Sequence, residues 1–210
     1  MAQLHAVLTG DLIHSTRGTP AQLDDTMALI EAAAHRFSDE ARFHRYRGDG
    51  WQVYVGAAGR GLGAMIYIAA RLIQDEGLAS RIALGIGDAQ GLAEPTLASA
   101  GGGAFVASGR ALDAMTGGRR LALAGAVFDP LHHALMASLD AQVQGWSPQQ
   151  AEAVAWTLTP GLDVPQQALA DMLGISRQAF AARLNAAGFA LIEQAIRAFA
   201  THFTAEASHG

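Results

Sequence analysis

The order of hydrophobic periods along the chain limits its fold more than any other property. Up to about residue 125, strand-like and helix-like runs alternate; from Asp129 onward every run has helical spacing. Leu4 to Leu8 forms an apolar strand. Pro20 to Phe37 places Leu23, Met27, Ile30, Ala34 and Phe37 on one helical face, with Thr19 as N-cap and Pro20 in the first helical position. Phe43 to Tyr46 and Trp51 to Val55 flank Gly48-Asp49-Gly50 as a hairpin, since Asp-Gly suits the positive φ of a tight turn. A helix at about Leu62 to Asp75 and a strand at Arg81 to Ile86 complete the order β-α-β-β-α-β. That order predicts an α/β (α+β) fold with a ferredoxin-like sheet and helices packed on one face. A Gly/Ala-rich stretch, Gly87 to Gly103, then leads to a helix at about Ala104 to Met115 and a strand at Arg120 to Leu123. The helical half breaks at Gly145-Trp146-Ser147-Pro148 and at Thr159-Pro160-Gly161. The expected organisation is an α/β domain over 1–125, connecting helices over 126–160 and a separate helical unit over 161–203.

With 210 residues, half of them hydrophobic, the chain can bury a proper core. It contains no cysteine, which excludes disulfides, thiol chemistry and Cys-ligated zinc. His132-His133 has no third ligand at metal spacing and His5, His14 and His44 are scattered, so no zinc site is expected. Met1-Ala2-Gln3-Leu4 lacks the profile of a signal peptide. The longest apolar helical stretch, Leu62 to Ile73, carries Arg71 and falls short of the roughly 20 residues that cross a bilayer. A cytoplasmic protein with no membrane span is expected. All fourteen basic residues are arginine, and the formal charge of −5 argues against a protein that coats nucleic acid nonspecifically.

Two short acidic elements, Thr9-Gly10-Asp11-Leu12-Ile13 and Tyr46-Arg47-Gly48-Asp49-Gly50-Trp51, each follow a strand-like run. A carboxylate at the end of one strand and another in a hairpin turn can meet on adjacent strands and share a divalent metal, which makes a nucleoside triphosphate with Mg²⁺ the first ligand to consider. The plainer alternative is that Asp11 caps a turn and Gly48-Asp49-Gly50 only turns the chain. Read in order, these motifs resemble a class III nucleotidyl cyclase domain and, more closely, the SatD family of cyclase-related bacterial proteins, over roughly the first 125 residues. Asp11-Leu12-Ile13-His14-Ser15-Thr16 matches the cyclase Asp, its apolar neighbour and the final Thr of the phosphate-wrapping turn, with His14-Ser15 in place of Gly-Phe. The resemblance implies metal ligands at Asp11 and Asp49 and purine-nucleotide contacts from Leu12, Ser15, Thr16, Arg45 and Arg110. It also implies a degenerate site. Val106 stands where cyclases carry the Asn that stabilises the transition state, Arg45 replaces the purine-reading Lys, and the base-reading Asp is replaced near Ser99.

The second constellation is Gln166 to Leu184. Small Ala170 permits close helix approach, Gly174 supplies a turn, Ile175 and Phe180 plug the space between two helices, and Ser176 caps the second. These positions would suit any helical hairpin, but the segment strongly resembles a bacterial helix-turn-helix. The residues left for DNA are Ser176, Arg177, Gln178, Arg183 and Asn185, with Ala181 and Ala182 small enough for close approach. Against this, residues 126–210 carry seven acids (Asp129, Asp140, Glu152, Asp163, Asp171, Glu193 and Glu206) and three arginines (Arg177, Arg183 and Arg197). A local balance of −4 calls for a homodimer that doubles the phosphate contacts, or for a protein partner in place of DNA. The stripe of Leu191, Ala195, Ile196 and Phe199 is expected in the core or at a dimer contact. The expected function is a DNA-binding transcriptional regulator with a degenerate cyclase-like domain that senses a nucleotide or dimerises. The alternatives are a Mg²⁺-dependent nucleotidyl cyclase or transferase using Asp11 and Asp49, and a protein-interaction scaffold.

Overall fold

A computed structural model describes residues 3–46, 48–93, 96–159 and 165–208, with side chains to residue 204. Strand β1 (His5–Leu12) continues four residues past the apolar run Leu4 to Leu8, so Asp11 lies inside the strand. Its extension follows from its central place. Strand β1 is paired antiparallel on both sides, with β3 (Gly50–Ala57) and with β4 (Ser80–Gly87). Strand β2 (Arg42–Tyr46) lies outside β3, and β5 (Leu121–Ala124) runs parallel to β4, giving the order β2-β3-β1-β4-β5 in a mixed sheet.

Alternation along β1 sends Ala6, Leu8 and Leu12 to one face, where helices α1 (Pro20–Phe37) and α2 (Gly61–Asp75) cover them, and sends Val7, Thr9 and Asp11 to the other. Thr19 caps α1 by accepting the Gln22 N–H while Gln22 reaches back to the Thr19 N–H, as the Thr-Pro start predicts. Helix α3 (Gly103–Asp113) lies on the second face, across β4 and β1, which the expected one-sided sheet did not include. That face is apolar too: Val7, Tyr54 and Ala83 are buried and need a cover. Gly85 sets how close α3 comes, because a Cβ there would stand 2.1 Å from the Ala104 carbonyl oxygen. A buried hydrogen bond from Thr9 to Ser108, 2.7 Å, ties strand to helix.

Among the described residues five helices follow, α4 (Pro130–Gln144), α5 (Pro148–Leu158), α6 (Gln166–Met172), α7 (Arg177–Ala186) and α8 (Phe189–Ser208). The break at Gly145 to Pro148 is a helix start, with Ser147 and Gln150 in a reciprocal capping box. Of the break at Thr159-Pro160-Gly161, only Thr159 is among the described residues. Helix α5 lies along α2, and α8 returns to the turn at Ala58–Arg60, where Phe199 and Phe203 pack against Phe128 with ring centroids 6.0 and 6.3 Å apart. One hydrophobic cluster therefore draws residues from all three expected parts of the chain, from Ala6 to Phe203. Ala195, Ile196 and Phe199 belong to it, while Leu191 is exposed.

Candidate functional site

The β1–β3 register sets Asp11 opposite Gly50, and the Leu12 N–H donates to the Asp49 carbonyl oxygen at 3.2 Å. Both acidic elements thus stand at one end of the sheet. Just beyond, His14 adopts φ +57° and starts a single helical turn, Ser15–Arg17, from which the Ser15 hydroxyl donates a short hydrogen bond to the Asp49 carboxylate. The main chain beneath is pinned from the core: the Trp51 indole N–H donates to the Ser80 hydroxyl (3.0 Å), which donates to the Asp11 carbonyl oxygen (2.7 Å).

Asp11 does not face open space alone. Its partner across β1–β4 is Arg81, whose guanidinium takes both carboxylate oxygens, with Nε 2.8 Å from Oδ1 and a second, shorter bond to Oδ2. This fork-to-fork pair is about one-third exposed on either side. The Asp11 hydrogen bond holds the Arg81 pKa above its ordinary value against partial burial, helped by the charges of Asp11, Asp113 and Asp49. A Mg²⁺ ion is satisfied by one or two carboxylates plus water and phosphate oxygens. Here Arg81 neutralises one of the two carboxylates and the other accepts the Ser15 hydroxyl, so a metal would have to compete with both partners. Among the described residues, no three of His, Cys, Asp and Glu gather at metal-binding distance.

Of the other expected ligand residues, Leu12, Thr16 and Arg45 stand near the two acids and Arg110 lies apart on α3. Arg45 bonds Asp24 of α1 at 2.6 Å and the Gly48 carbonyl oxygen at 2.7 Å, so it straps the hairpin to the helix. Leu12 is buried and Thr16 exposed. Arg110 and Val106 are exposed on α3; Arg110 lines a groove of about 360 Å³ with Arg119 and His133. Asp11 lines a different cavity, of about 620 Å³, with His14, Arg81, Gln144 and the turn Thr116-Gly117-Gly118-Arg119-Arg120. The two spaces share Met115, Thr116 and Arg119. Sequence reasoning passed over Arg81, Arg119, Arg120 and the buried Asp140 that holds the turn. Gly117-Gly118-Arg119-Arg120 ahead of a strand was the available signal; Arg81 needed the register.

The α6–α7 segment builds a second candidate surface. The Ile175 N–H returns to the Ala170 carbonyl oxygen at 3.0 Å, Gly174 takes φ +65°, and Ser176 caps α7 by accepting the Ala179 N–H at 3.1 Å. Leu169, Ala170, Phe180 and Leu184 are buried, and Ile175 packs at the edge of the core. Arg177, Gln178, Ala182 and Asn185 are exposed. Arg183 instead reaches Glu152 of α5 at 2.7 Å. Among the described residues, no helix is long and apolar enough to cross a membrane. Compared with known proteins, the chain matches no family model and no curated sequence.

Proposed function

We propose that this chain is a DNA-binding transcriptional regulator, with α6 and α7 as a helix-turn-helix and a SatD-like, degenerate cyclase-type α/β part that takes an anionic ligand. The observation that carries the reading is the division of α7: Phe180 and Leu184 are buried while the first turn presents Arg177 and Gln178 outward with no acid in it. Recognition helices meet base edges through that turn. The order β2-β3-β1-β4 is that of a ferredoxin-like sheet and supports the cyclase-type half of the reading. A homodimer with recognition helices roughly 34 Å apart would double the phosphate contacts that the acidic C-terminal region lacks.

The test is selection of duplexes from a random pool, followed by fluorescence anisotropy at fixed salt. Arg177→Ala is expected to cost about 1–3 kcal/mol on the selected duplex and to relax its sequence preference. Failure to enrich any duplex, or equal affinity for selected and random DNA, removes the reading.

A second reading, a Mg²⁺-dependent nucleotidyl cyclase or transferase, draws on the position of Asp11 and Asp49 at one end of the sheet. It requires Arg81 to release Asp11, and Val106 offers no donor to a transition state. Formation of cyclic nucleotide from ATP or GTP with Mg²⁺ or Mn²⁺ would favour it.

A further inference from the structure

The turn ahead of β5 has the features of an anion cradle. Gly117 and Gly118 both take positive φ, +68° and +79°, and nothing lies within 4 Å of where a Cβ on either would stand. Their backbone is therefore open on the side that side chains normally fill. Among the described residues, the N–H groups of Thr116, Gly117 and Gly118 meet no protein acceptor, whereas those of Arg120 and Leu121 are both taken by Asp140. Successive free N–H groups in a tight turn form the concavity that oxyanions occupy. The turn is built on a firm base. Asp140 is 3% exposed and anchors its C-terminal side, and the Arg119 N–H closes it onto the Thr116 carbonyl oxygen.

Charge points the same way. Arg119 and Arg120 have no carboxylate partner among the described residues, and the cavity of about 620 Å³ that they line holds one acid, Asp11, which Arg81 already neutralises. Asp113 and Asp49 act on Arg81 from outside that lining. Three guanidinium groups against one carboxylate leave the lining itself with an excess of two positive charges in a chain whose total is −5. The cavity exceeds what a single oxyanion fills, so a chain of phosphates or a phosphate with an organic body fits better than a lone ion.

We propose that the turn Thr116 to Arg120 binds the phosphate group of a small phosphorylated ligand, through the N–H groups of Gly117 and Gly118 and the guanidinium groups of Arg119 and Arg120. The acidic pair at Asp11 and Asp49 takes no part in this subsite. The inference deepens the ligand-sensing half of the proposed function and rests on that reading for its biological role; the anion chemistry is read independently of DNA.

The experiment titrates the whole chain, uniformly ¹⁵N-labelled, with pyrophosphate and separately with ADP, following the glycine amides by NMR. Saturable movement of the Gly117 and Gly118 amides is expected, with the dissociation constant raised at least about tenfold in an Arg119→Ala/Arg120→Ala variant whose melting temperature is unchanged. Absence of saturable shifts, shifts confined to other glycines, or unchanged affinity in the variant would overturn the proposal. ADP binding about tenfold tighter than pyrophosphate assigns the site to nucleotides, and equal binding assigns it to the phosphate chain alone. DNA affinity without added ligand, measured on the same samples, should match between parent and variant. Loss of DNA binding in both, with anion binding intact, refutes the regulator and leaves the subsite standing.

Discussion

Asp140 is a buried carboxylate whose Oδ1 receives the Arg120 and Leu121 N–H groups at 3.1 and 3.0 Å and the Gln144 side-chain amide at 3.0 Å. Removing it leaves two main-chain donors without partners, one fully buried. An orphaned buried donor costs about 1–3 kcal/mol, so Asp140→Ala should lower the unfolding free energy by that order in urea titrations, and Asp140→Asn, which keeps an acceptor oxygen, by less. A milder change at Glu152 separates charge from structure. Glu152→Gln removes the charge paired with Arg183, and if α7 binds DNA, affinity for random duplex should rise with a steeper salt dependence. An unchanged salt slope would confine Arg183 to packing. None of these partnerships follows from residue type. Arg45, Arg81 and Arg183 are equally solvated candidates in the sequence, and only the fold assigns them to Asp24, Asp11 and Glu152.

Helix starts were legible because their signals are local. Thr19-Pro20 reads as cap and first turn and caps in the structure; Ser147-Pro148, read only as part of a break, caps there too. Ser176→Ala should cost about 1 kcal/mol of stability, measured by thermal melting, since the hydroxyl is the acceptor for the Ala179 N–H. Two further starts carry a pH signature. The Asp88 carboxylate accepts the Gly103 N–H at the start of α3, and Asp129 accepts the Leu131 and His132 N–H groups at the start of α4. Those backbone bonds hold both carboxyls below the ordinary Asp range. A depressed folded-state pKa means stability fully present above the unfolded value, about 3.9, and lost as pH falls through the lower, folded one. Melting temperatures between pH 5 and pH 2.5 should fall less steeply in Asp88→Asn and Asp129→Asn than in the parent; identical slopes would show that neither group contributes. The placement of α3 was not legible, because its own spacing says nothing about which face of the sheet it covers. That choice depends on Val7, Tyr54 and Ala83 sharing a face, which requires the strand register.

At the scale of the molecule, the hydrophobic cluster joins the α/β part to the helical part, with Tyr67 of α2 meeting Thr159 at the end of α5 through a hydroxyl bond of 3.0 Å. A division into independent units at 125 and 160 would give two unfolding transitions; the continuous core predicts one, coincident by far-ultraviolet circular dichroism and tryptophan fluorescence. Helix α8 decides when that core can close. Its Ala200 backbone comes within 3.2 Å of where a Cβ on Gly59 would stand, and Phe199 and Phe203 cover Phe128. During synthesis at roughly 5–20 residues per second, a nascent chain stopped at residue 160 has made the whole sheet yet keeps Phe128 uncovered. It must wait some seconds more, in the reach of chaperones, before the last turn of its core leaves the ribosome. Chains truncated before Phe199 should therefore yield protease-sensitive fragments in place of a working α/β half.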